Sequence, residues 1–271
     1  MMSLFVSKLR VYYLFRNNPK ILLLIVFKDI FRFIPVLNLY FGRKFKNEIL
    51  RLKKLSLFGS TFFFNEKSFP AILEMYAKRE RFKFKEFIPK KGDVVIDIGA
   101  TLGDHTIIYS KLVGDNGIVI AIEPNKDSFS LLKKNIEFNK ANNVICINAA
   151  AWNKKGLLKV SKKDFYTLDS VCISCKDNNY YMVKSIKIDD IVNRFGIKEV
   201  DLIKIDVEGA EYKVLRGGIK TIREFHPKII VEVHEYYGIK ENDILNLLKR
   251  FRYKVVRKYN LGKGVYELFL K

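Results

Sequence analysis

The chain has 271 residues, of which 49% are apolar, so it can bury a full core but is too short for two catalytic domains. No linker, repeat or low-complexity segment interrupts it, which excludes long disorder. The formal net charge of +21 is uneven, because residues 1–91 carry 20 Lys and Arg against 6 Asp and Glu, and residues 92–271 carry 30 against 23. A basic, aromatic-rich N-terminal region fits nucleic acid, anionic lipid or an acidic glycan, and charge alone does not choose among them.

The first 75 residues are predicted to form a basic, largely helical extension. The apolar run at residues 21–27 is too short to span a bilayer, because charged residues come soon after it, at Lys28, Asp29 and Arg32. No small-residue cleavage pattern follows the run, so a secretory signal peptide is not expected. Residues 4–41 mix basic and aromatic side chains. This pattern fits an in-plane helix on an anionic membrane and equally fits helices that pack on the rest of the protein with their basic sides in water.

A glycine turn follows the first strong strand. Residues 94–106 read VVIDIGATLGDHT, and the β-branched run at 94–96 predicts a short strand buried on both faces. Gly99 and Gly103 then allow a sharp turn and a close approach of the backbone to a ligand. A helix is expected to begin near His105, with two candidate capping residues, Thr101 and Asp104.

The second strand, residues 118–122, leads to Glu123, about twenty residues beyond the turn, where a carboxylate can accept hydrogen bonds from ribose hydroxyls. Because ligands of open α/β sheets bind beyond the carboxyl ends of the strands, Asp97, Gly99 and Glu123 are expected to face one crevice. NAD enzymes and methyltransferases share this spacing. A dinucleotide site needs GxGxxG, whereas this turn has GxxxG, and the acid Asp97 suits the cationic S-adenosylmethionine better than a pyrophosphate.

The most specific string is VDLIKIDVEGAE at residues 200–211. Five further strings accompany it in order: DIGATLG at 97–103, IEPN at 122–125, NAAAW at 148–152, SIKIDD at 185–190 and IIVEVH at 229–234. Together they resemble the FkbM-type family of class I methyltransferases over residues 76–271. The pair Thr101-Leu102 departs from the Asn-Ile that family members commonly have. The resemblance implies methyl transfer from S-adenosylmethionine to a hydroxyl of a sugar or secondary metabolite.

The same resemblance implies the fold class: α/β, a doubly wound, mostly parallel seven-stranded Rossmann-like sheet. The methyltransferase domain is expected at residues 76–271, after the extension at 1–75. Further strands are predicted at 144–148, 201–206 and 228–233, and helices near 127–139, 210–217 and 241–251. Two last strands, at 253–257 and 264–269, are expected to close the sheet as an antiparallel hairpin.

The connection at residues 157–188 is too long for a simple loop and is predicted to add strands near the substrate. It contains Cys172 and Cys175, a lone CxxC motif for which free thiols are favoured over zinc, because too few other ligands remain. Three cysteines make no disulfide framework and fit a reducing, cytoplasmic compartment.

The resemblance also implies a set of cofactor-binding residues, with the adenine at Asn148 and Ala149. The set is Asp97, Gly99, Ala100, Gly103, Thr106, Glu123, Pro124, Asn148, Ala149 and Asp206. A strand-end turn is the structural alternative for Asn148.

The acceptor chemistry requires help, because a sugar hydroxyl is too weak an acid to ionise at neutral pH. The candidate catalytic residues are His234, Asp206, Lys204 and Glu208. His234 is the best base by its ordinary pKa, and His105 is the second choice. As an alternative, three carboxylates would gather a Mg²⁺ ion, those of Asp206, Glu208 and Glu232. Pairing of these acids with Lys204, Arg216 or helix N-termini is the structural alternative.

The sequence therefore favours a sugar O-methyltransferase that is cytoplasmic and, through its basic extension, peripheral at the inner membrane face. A nucleic-acid methyltransferase is the alternative that the charge supports. The chain lacks the Asn/Asp-Pro-Pro-aromatic loop of amine methylation and the Pro-Cys pair of pyrimidine methylation. A binding protein with a degenerate cofactor site and a dehydrogenase are the remaining alternatives.

Overall fold

A central sheet of seven strands organises the protein. The computed structural model describes residues 84–161 and 180–271, with 51, 54–57, 59–65 and 68 from the preceding region. The described strands are β1 (Lys54–Leu57), β2 (Ser60–Phe63), β3 (Val94–Ile98), β4 (Ile118–Ile122), β5 (Val144–Ile147), β6 (Ala150–Ala151), β7 (Gly156–Ser161), β8 (Tyr180–Ile186), β9 (Leu202–Ile205), β10 (Lys228–His234), β11 (Val255–Gly262) and β12 (Val265–Leu270). The described α-helices are α1 (Asp104–Val113), α2 (Lys126–Phe138), α3 (Ile188–Arg194), α4 (Glu211–Gly217), α5 (Ile219–Phe225) and α6 (Glu241–Lys249).

The central sheet is mostly parallel, with the strand order β11-β12-β10-β9-β3-β4-β5. Strands β9, β3, β4, β5 and β10 pair in parallel, whereas β12 lies antiparallel between β10 and β11. The fold class predicted from the sequence is confirmed, including the antiparallel hairpin at the end. The predicted strands and helices differ from the observed ones mainly by a few residues at their ends, the usual uncertainty of element boundaries.

Helices cover both faces of this sheet. The apolar side chains of α3, α4, α5 and α6 pack on one face, against β-branched residues such as Ile96, Ile203 and Val231. Helix α1 packs on the other face through Tyr109 and Val113, and α2 packs beside it through Leu132. Strands buried on both faces explain the unbroken apolar runs in the sequence. Helices α3 and α5 were not predicted, because short helices of two turns carry little periodic pattern.

The described part of the N-terminal region differs from the sequence-based expectation. Residues 54–63 lie inside the extension predicted to be largely helical, but they form the antiparallel hairpin β1–β2. Two asparagines of the α2 region anchor this hairpin, since Asn135 Oδ1 accepts a hydrogen bond from the Phe63 N–H at 2.6 Å and Asn139 Oδ1 accepts one from the Thr61 N–H at 3.0 Å. The helices predicted at 4–41, with both alternatives for their role, and the domain boundary at 75 lie outside the described residues.

A second, smaller sheet adjoins the central one. Strands β6, β8 and β7 form it in that order, and β7 and β8 come from the two ends of the connection at residues 157–188. The predicted extra strands therefore exist. Cys172 and Cys175 lie outside the described residues, and Cys146 is a half-buried free thiol. No helix in the described part of the chain is long and apolar enough to cross a bilayer.

Gly99 provides a test of how closely β3 and β9 approach each other. Its φ is +81°, and a Cβ built on it would lie 1.8 Å from the carbonyl oxygen of Asp206. We expect Gly99→Ala to lower the free energy of unfolding by about 2–5 kcal/mol, from left-handed backbone strain and steric overlap together. Urea unfolding measures this change.

Gly92→Ala is the matched control. Gly92 has a similar φ of +91°, but no described atom lies within 4 Å of a Cβ built at this position. Only the backbone strain of about 1–2 kcal/mol is then expected. Equal losses of stability in the two variants would contradict the close approach of the two strands.

Candidate active site

The glycine turn between β3 and α1 is tied to the end of β4. The backbone N–H groups of Gly99 and Ala100 both donate to the carbonyl of Ile122, at 3.0 and 3.1 Å. The Thr101 N–H donates to Glu123 Oε2 at 2.9 Å. The turn therefore needs left-handed backbone at Gly99 (φ +81°) and Thr101 (φ +52°), which glycine adopts without strain and threonine rarely does.

Gly103 lies at the start of α1. It is the N-cap of α1 with φ +89°, and no side chain caps the helix among the described residues. The expectation of a cap from Thr101 or Asp104 is therefore wrong. A Cβ on Gly103 would lie 2.7 Å from Leu132 Cδ1, so this glycine makes room for α2. The predicted close approach of Gly103 to a ligand stays a prediction.

Glu123 is held rigidly at the end of β4. Its side chain is buried, with the residue 5% exposed. Oε1 accepts a hydrogen bond from the Asn125 N–H at 2.8 Å, and Oε2 accepts the Thr101 N–H. The predicted contact with ribose hydroxyls stays a prediction that this orientation allows.

Asn148 is turned toward the same strand end. Its Nδ2 donates to the carbonyl oxygens of Glu123 and Pro124, at 2.8 and 3.1 Å. This is the turn-stabilising role that was the alternative for Asn148, and Ala149 beside it is buried. The adenine contact of these two residues stays a prediction.

Asp97 is fully buried at the end of β3. The residue is 0% exposed, and its Oδ2 accepts a hydrogen bond from the Thr106 hydroxyl at 2.6 Å. Its Oδ1 lies 3.8 Å from Lys204 Nζ. A residue of α1 therefore contacts this side chain, and the predicted place of Asp97 at the cofactor crevice stays a prediction.

Lys204 lies between this buried acid, Asp97, and a second acid, Asp206, just beyond β9. Its Nζ lies 3.4 Å from Asp206 Oδ2 as well as near Asp97. Burial alone would lower the pKa of Lys204, but the carboxylates of Asp206, Asp97 and Asp104 raise it above its ordinary value. The ammonium group is therefore charged and neutralises acids on two strands.

His234, the last residue of β10, lies among four carboxylates. Its Nδ1 is 2.6 Å from Glu211 Oε1. Its Nε2 lies 3.4 Å from Glu208 Oε1, 3.7 Å from Glu232 Oε1 and 3.9 Å from Asp206 Oδ1. Burial alone would lower the pKa of His234, but the hydrogen bond to Glu211 and the charges of Asp206 and Glu208 raise it to about 9.

Glu208 joins the rim of this cluster. Its backbone is left-handed (φ +49°), and its Oε2 accepts a hydrogen bond from the Tyr236 hydroxyl at 2.7 Å. Burial raises the pKa of Glu208 to about 7, with a further contribution from Asp206 and against the opposing effect of His234.

Sequence reasoning missed Glu211. This residue is fully buried in the first turn of α4, and its Oε1 also accepts the Gly209 N–H at 3.0 Å. The signal in the sequence was an acid soon after a glycine bend, at a helix start, where a carboxylate can turn back to a backbone N–H. The pattern gave no indication that its partner would be His234 on another strand.

The structure thus assembles the four predicted catalytic residues, His234, Asp206, Lys204 and Glu208, at the carboxyl ends of β9 and β10. His105 lies apart from His234, on α1. Its Nδ1 lies 3.1 Å from Asp104 Oδ2, and it lines a cavity together with Tyr109, Lys204 and Glu267.

Thr106→Val tests the support of Asp97. The variant keeps the shape of the side chain but removes the hydroxyl that donates to a buried carboxylate. We expect a loss of about 1.5–3 kcal/mol in the free energy of unfolding, measured by urea denaturation. Thr61→Val is the control, because the Thr61 hydroxyl bonds to Ser56 in an exposed pair, and a change within about 0.5 kcal/mol is expected. Wild-type stability in Thr106→Val would rule out the supporting role.

Comparison with known proteins agrees with this architecture. A family model, the methyltransferase FkbM domain, matches residues 97–255. Hexuronic acid methyltransferase AglP from Haloferax volcanii is 26% identical over 159 residues, which cover 59% of this chain and 62% of that protein. Methyltransferase sdnD from Sordaria araneosa is 23% identical over 177 residues, covering 54% of this chain and 68% of that protein. The match to AglP thus leaves more than a third of that relative uncovered.

Among solved structures, the methyltransferase FkbM from Methylobacillus flagellatus KT matches with a TM-score of 0.46 and 17% identity, over 76% of this chain and 54% of that chain. The family model covers more than half of the chain, from Asp97 through the end of the His234 cluster and beyond. The chain therefore belongs to the FkbM family of S-adenosylmethionine-dependent methyltransferases.

Proposed function

We propose that this protein transfers a methyl group from S-adenosylmethionine to a hydroxyl group of a sugar, in a glycan, a glycolipid or a secondary metabolite. Family membership supports methyl transfer, and the name of the relative AglP, a hexuronic acid methyltransferase, supports a sugar acceptor. The observation that carries the acceptor chemistry is the polar cluster around His234, at the end of the strands next to the glycine turn.

On the cofactor side, the fit rests on the fixed strand ends. Glu123 presents an oriented carboxylate beyond β4, and the turn at Gly99 brings the ends of β3 and β9 into contact. S-adenosylmethionine supplies, when bound, a methyl group on a cationic sulfonium. We assign its ribose hydroxyls to Glu123. Asp97 and Asp206 together outweigh the single positive charge of Lys204, and the remaining negative charge favours the cation, with Asp97 acting through the local field from its buried position.

On the acceptor side, the side chains of the site position the acceptor hydroxyl and remove its proton. Holding an oxygen, a carbon and a sulfur atom in line contributes up to about 7–11 kcal/mol through positioning. We assign the acceptor hydroxyl to the cleft beside Asp206 and Glu208, where His234 also faces it. The carboxylates of Asp206 and Glu208 orient the hydroxyl and take up its proton, while Lys204 holds Asp206 in place. His234, whose pKa is raised to about 9, is protonated at neutral pH and contributes its positive charge.

The acidic character of this cluster opposes the nucleic-acid alternative. Four carboxylates surround His234, and a phosphate backbone brought to this point would be repelled. The basic excess lies mostly in residues 1–91, away from this cluster in the sequence. The dehydrogenase alternative is inconsistent with membership in a methyltransferase family.

The proposed function is tested by transfer of labelled methyl groups from S-adenosylmethionine into a cell extract, followed by separation of carbohydrate, lipid and nucleic-acid fractions. We expect label in the carbohydrate or glycolipid fraction. For Glu123→Gln we expect at least a tenfold weaker affinity for S-adenosylhomocysteine, about 1.4 kcal/mol, because an amide has one acceptor oxygen, whereas the carboxylate has two to share between backbone N–H groups and the ribose hydroxyls. Calorimetry measures this affinity.

Glu137→Gln is the control, since Glu137 is an exposed residue near the end of α2. This variant should bind S-adenosylhomocysteine and transfer methyl groups like the wild type. Label confined to nuclease-sensitive material would overturn the sugar acceptor, and unchanged affinity in Glu123→Gln would remove the ribose role of Glu123.

We further propose that the N-terminal region holds the protein at an anionic membrane surface. The proposal rests on its charge, 20 Lys and Arg against 6 Asp and Glu in residues 1–91, and on the aromatic residues between them. The protein is expected to sediment with vesicles containing anionic lipid at low salt and to stay in solution with neutral vesicles. No sedimentation with anionic vesicles at low salt would show that the region only packs on the protein.

A further inference from the structure

Three side chains at the ends of β9 and β10 bring potential metal-binding atoms together. One carboxylate oxygen of Asp206, one of Glu232 and a ring nitrogen of His234 all lie within 4.8 Å of one another. This set differs from the all-carboxylate set that the sequence suggested, because it contains an imidazole and omits Glu208. A mixed set of one nitrogen and two oxygens is a recurrent way to hold a transition metal.

The distances match what one ion requires. His234 Nε2 lies 3.9 Å from Asp206 Oδ1 and 3.7 Å from Glu232 Oε1. Two ligand atoms that are each about 2.1 Å from an ion are about 3.0 Å apart at a right angle and about 4.2 Å apart when opposite. Both observed distances fall between these limits. The carboxylate oxygens of Asp206 and Glu232 lie within 4.8 Å of each other, so the three side chains can share an ion after at most a small movement.

The arrangement around His234 is a second, independent observation. The side chain is 3% exposed, and fully buried Glu211 holds its Nδ1 at 2.6 Å. Nε2 therefore faces the cluster, and the carboxylate oxygens of that cluster, at 3.4–3.9 Å, lie beyond ordinary hydrogen-bond length. Histidines that bind metals characteristically donate their other ring N–H to a carboxylate such as Glu211.

The carboxylate of Asp206 is also turned toward His234 Nε2. Its Oδ2 lies 3.4 Å from Lys204 Nζ, and its other oxygen, Oδ1, is the one nearest to His234 Nε2. Lys204 thus fixes the rotation of the carboxylate while Oδ1 points toward the other two donor atoms.

Charge balance also favours a cation at this position. Four carboxylates converge on one imidazole, and Glu232 stands opposite a fifth, Glu267, in the register of β10 and β12. A divalent ion would add positive charge among these acids, and a bound ion is commonly the largest local charge in such a site.

We propose that Asp206, Glu232 and His234 bind one divalent first-row transition-metal ion, with Mn²⁺ as the best match to one imidazole and two carboxylates. Mg²⁺ fits less well, because it prefers an all-oxygen environment. Three protein ligands leave coordination positions open to water or to an acceptor hydroxyl.

The role of this ion in catalysis rests on the proposed function. A hydroxyl bound to the ion becomes more acidic. Its oxygen then forms the bond to the methyl carbon as the carbon–sulfur bond breaks, with the electron pair going to sulfur, and the hydroxyl proton leaves to a neighbouring carboxylate. Binding of the ion itself requires no acceptor.

The test is titration of the full chain, stripped with a chelator, with Mn²⁺, followed by the electron paramagnetic resonance signal of the free ion. We expect one ion per chain. Glu232→Gln and His234→Gln should weaken binding at least tenfold, and Asp206→Asn, at a half-buried position, serves as a third variant that is easier to accommodate. Glu267→Gln, the neighbour of Glu232 on β12, should bind within about twofold of wild type.

Affinity for S-adenosylhomocysteine is measured on each protein as a readout of the folded cofactor site. Wild-type protein that binds S-adenosylhomocysteine but no Mn²⁺ overturns the proposal, and so does wild-type Mn²⁺ affinity in all three ligand variants. Failure of methyl transfer with intact Mn²⁺ binding would instead refute the proposed function and leave the metal site standing.

Discussion

One buried ammonium group connects the two halves of the site. Lys204 Nζ lies between Asp97 Oδ1 on β3, at 3.8 Å, and Asp206 Oδ2 just beyond β9, at 3.4 Å. Without this cation, the fully buried carboxylate of Asp97 would lose the positive charge beside it, which is costly where water is excluded. The parallel pairing of β3 with β9 places Lys204 opposite Asp97. The cofactor side and the acceptor side of the site are therefore held at a fixed separation by sheet register and by one shared charge.

The fold could be predicted well because its signals are local. Runs of β-branched residues identify strands buried on both faces, and the glycine turn with Glu123 identifies the crevice at their ends. The hairpin at residues 54–63 was mistaken for helix, because its partner is not in the local sequence. Two asparagines, 72 and 78 residues away, provide the hydrogen bonds that hold it, and tertiary context of this kind overrides local pattern.

The site could be predicted only in part, for a related reason. The sequence shows that Asp97, Glu123, Asp206 and His234 stand at strand ends. It does not show which way each side chain turns or which neighbour it meets. The side chain of Asp97 turns under α1 to Thr106, and that of Asn148 turns to two backbone carbonyl oxygens. Gly103, which has no side chain, leaves room for Leu132. Glu211, which orients His234, was not predicted, because the two residues are 23 positions apart in the sequence and meet only in the folded protein.

The position of β12 has a consequence for folding during synthesis. This strand follows both β10 and β11 in the sequence but lies between them in the sheet. Until β12 has been made, β10 has an open edge of unpaired backbone groups along the strand that carries His234. Exposed edges of this kind promote association between chains. The strand edge beside His234 is thus completed last. A chain interrupted before residue 265 would retain the glycine turn but leave this edge unpaired and prone to association.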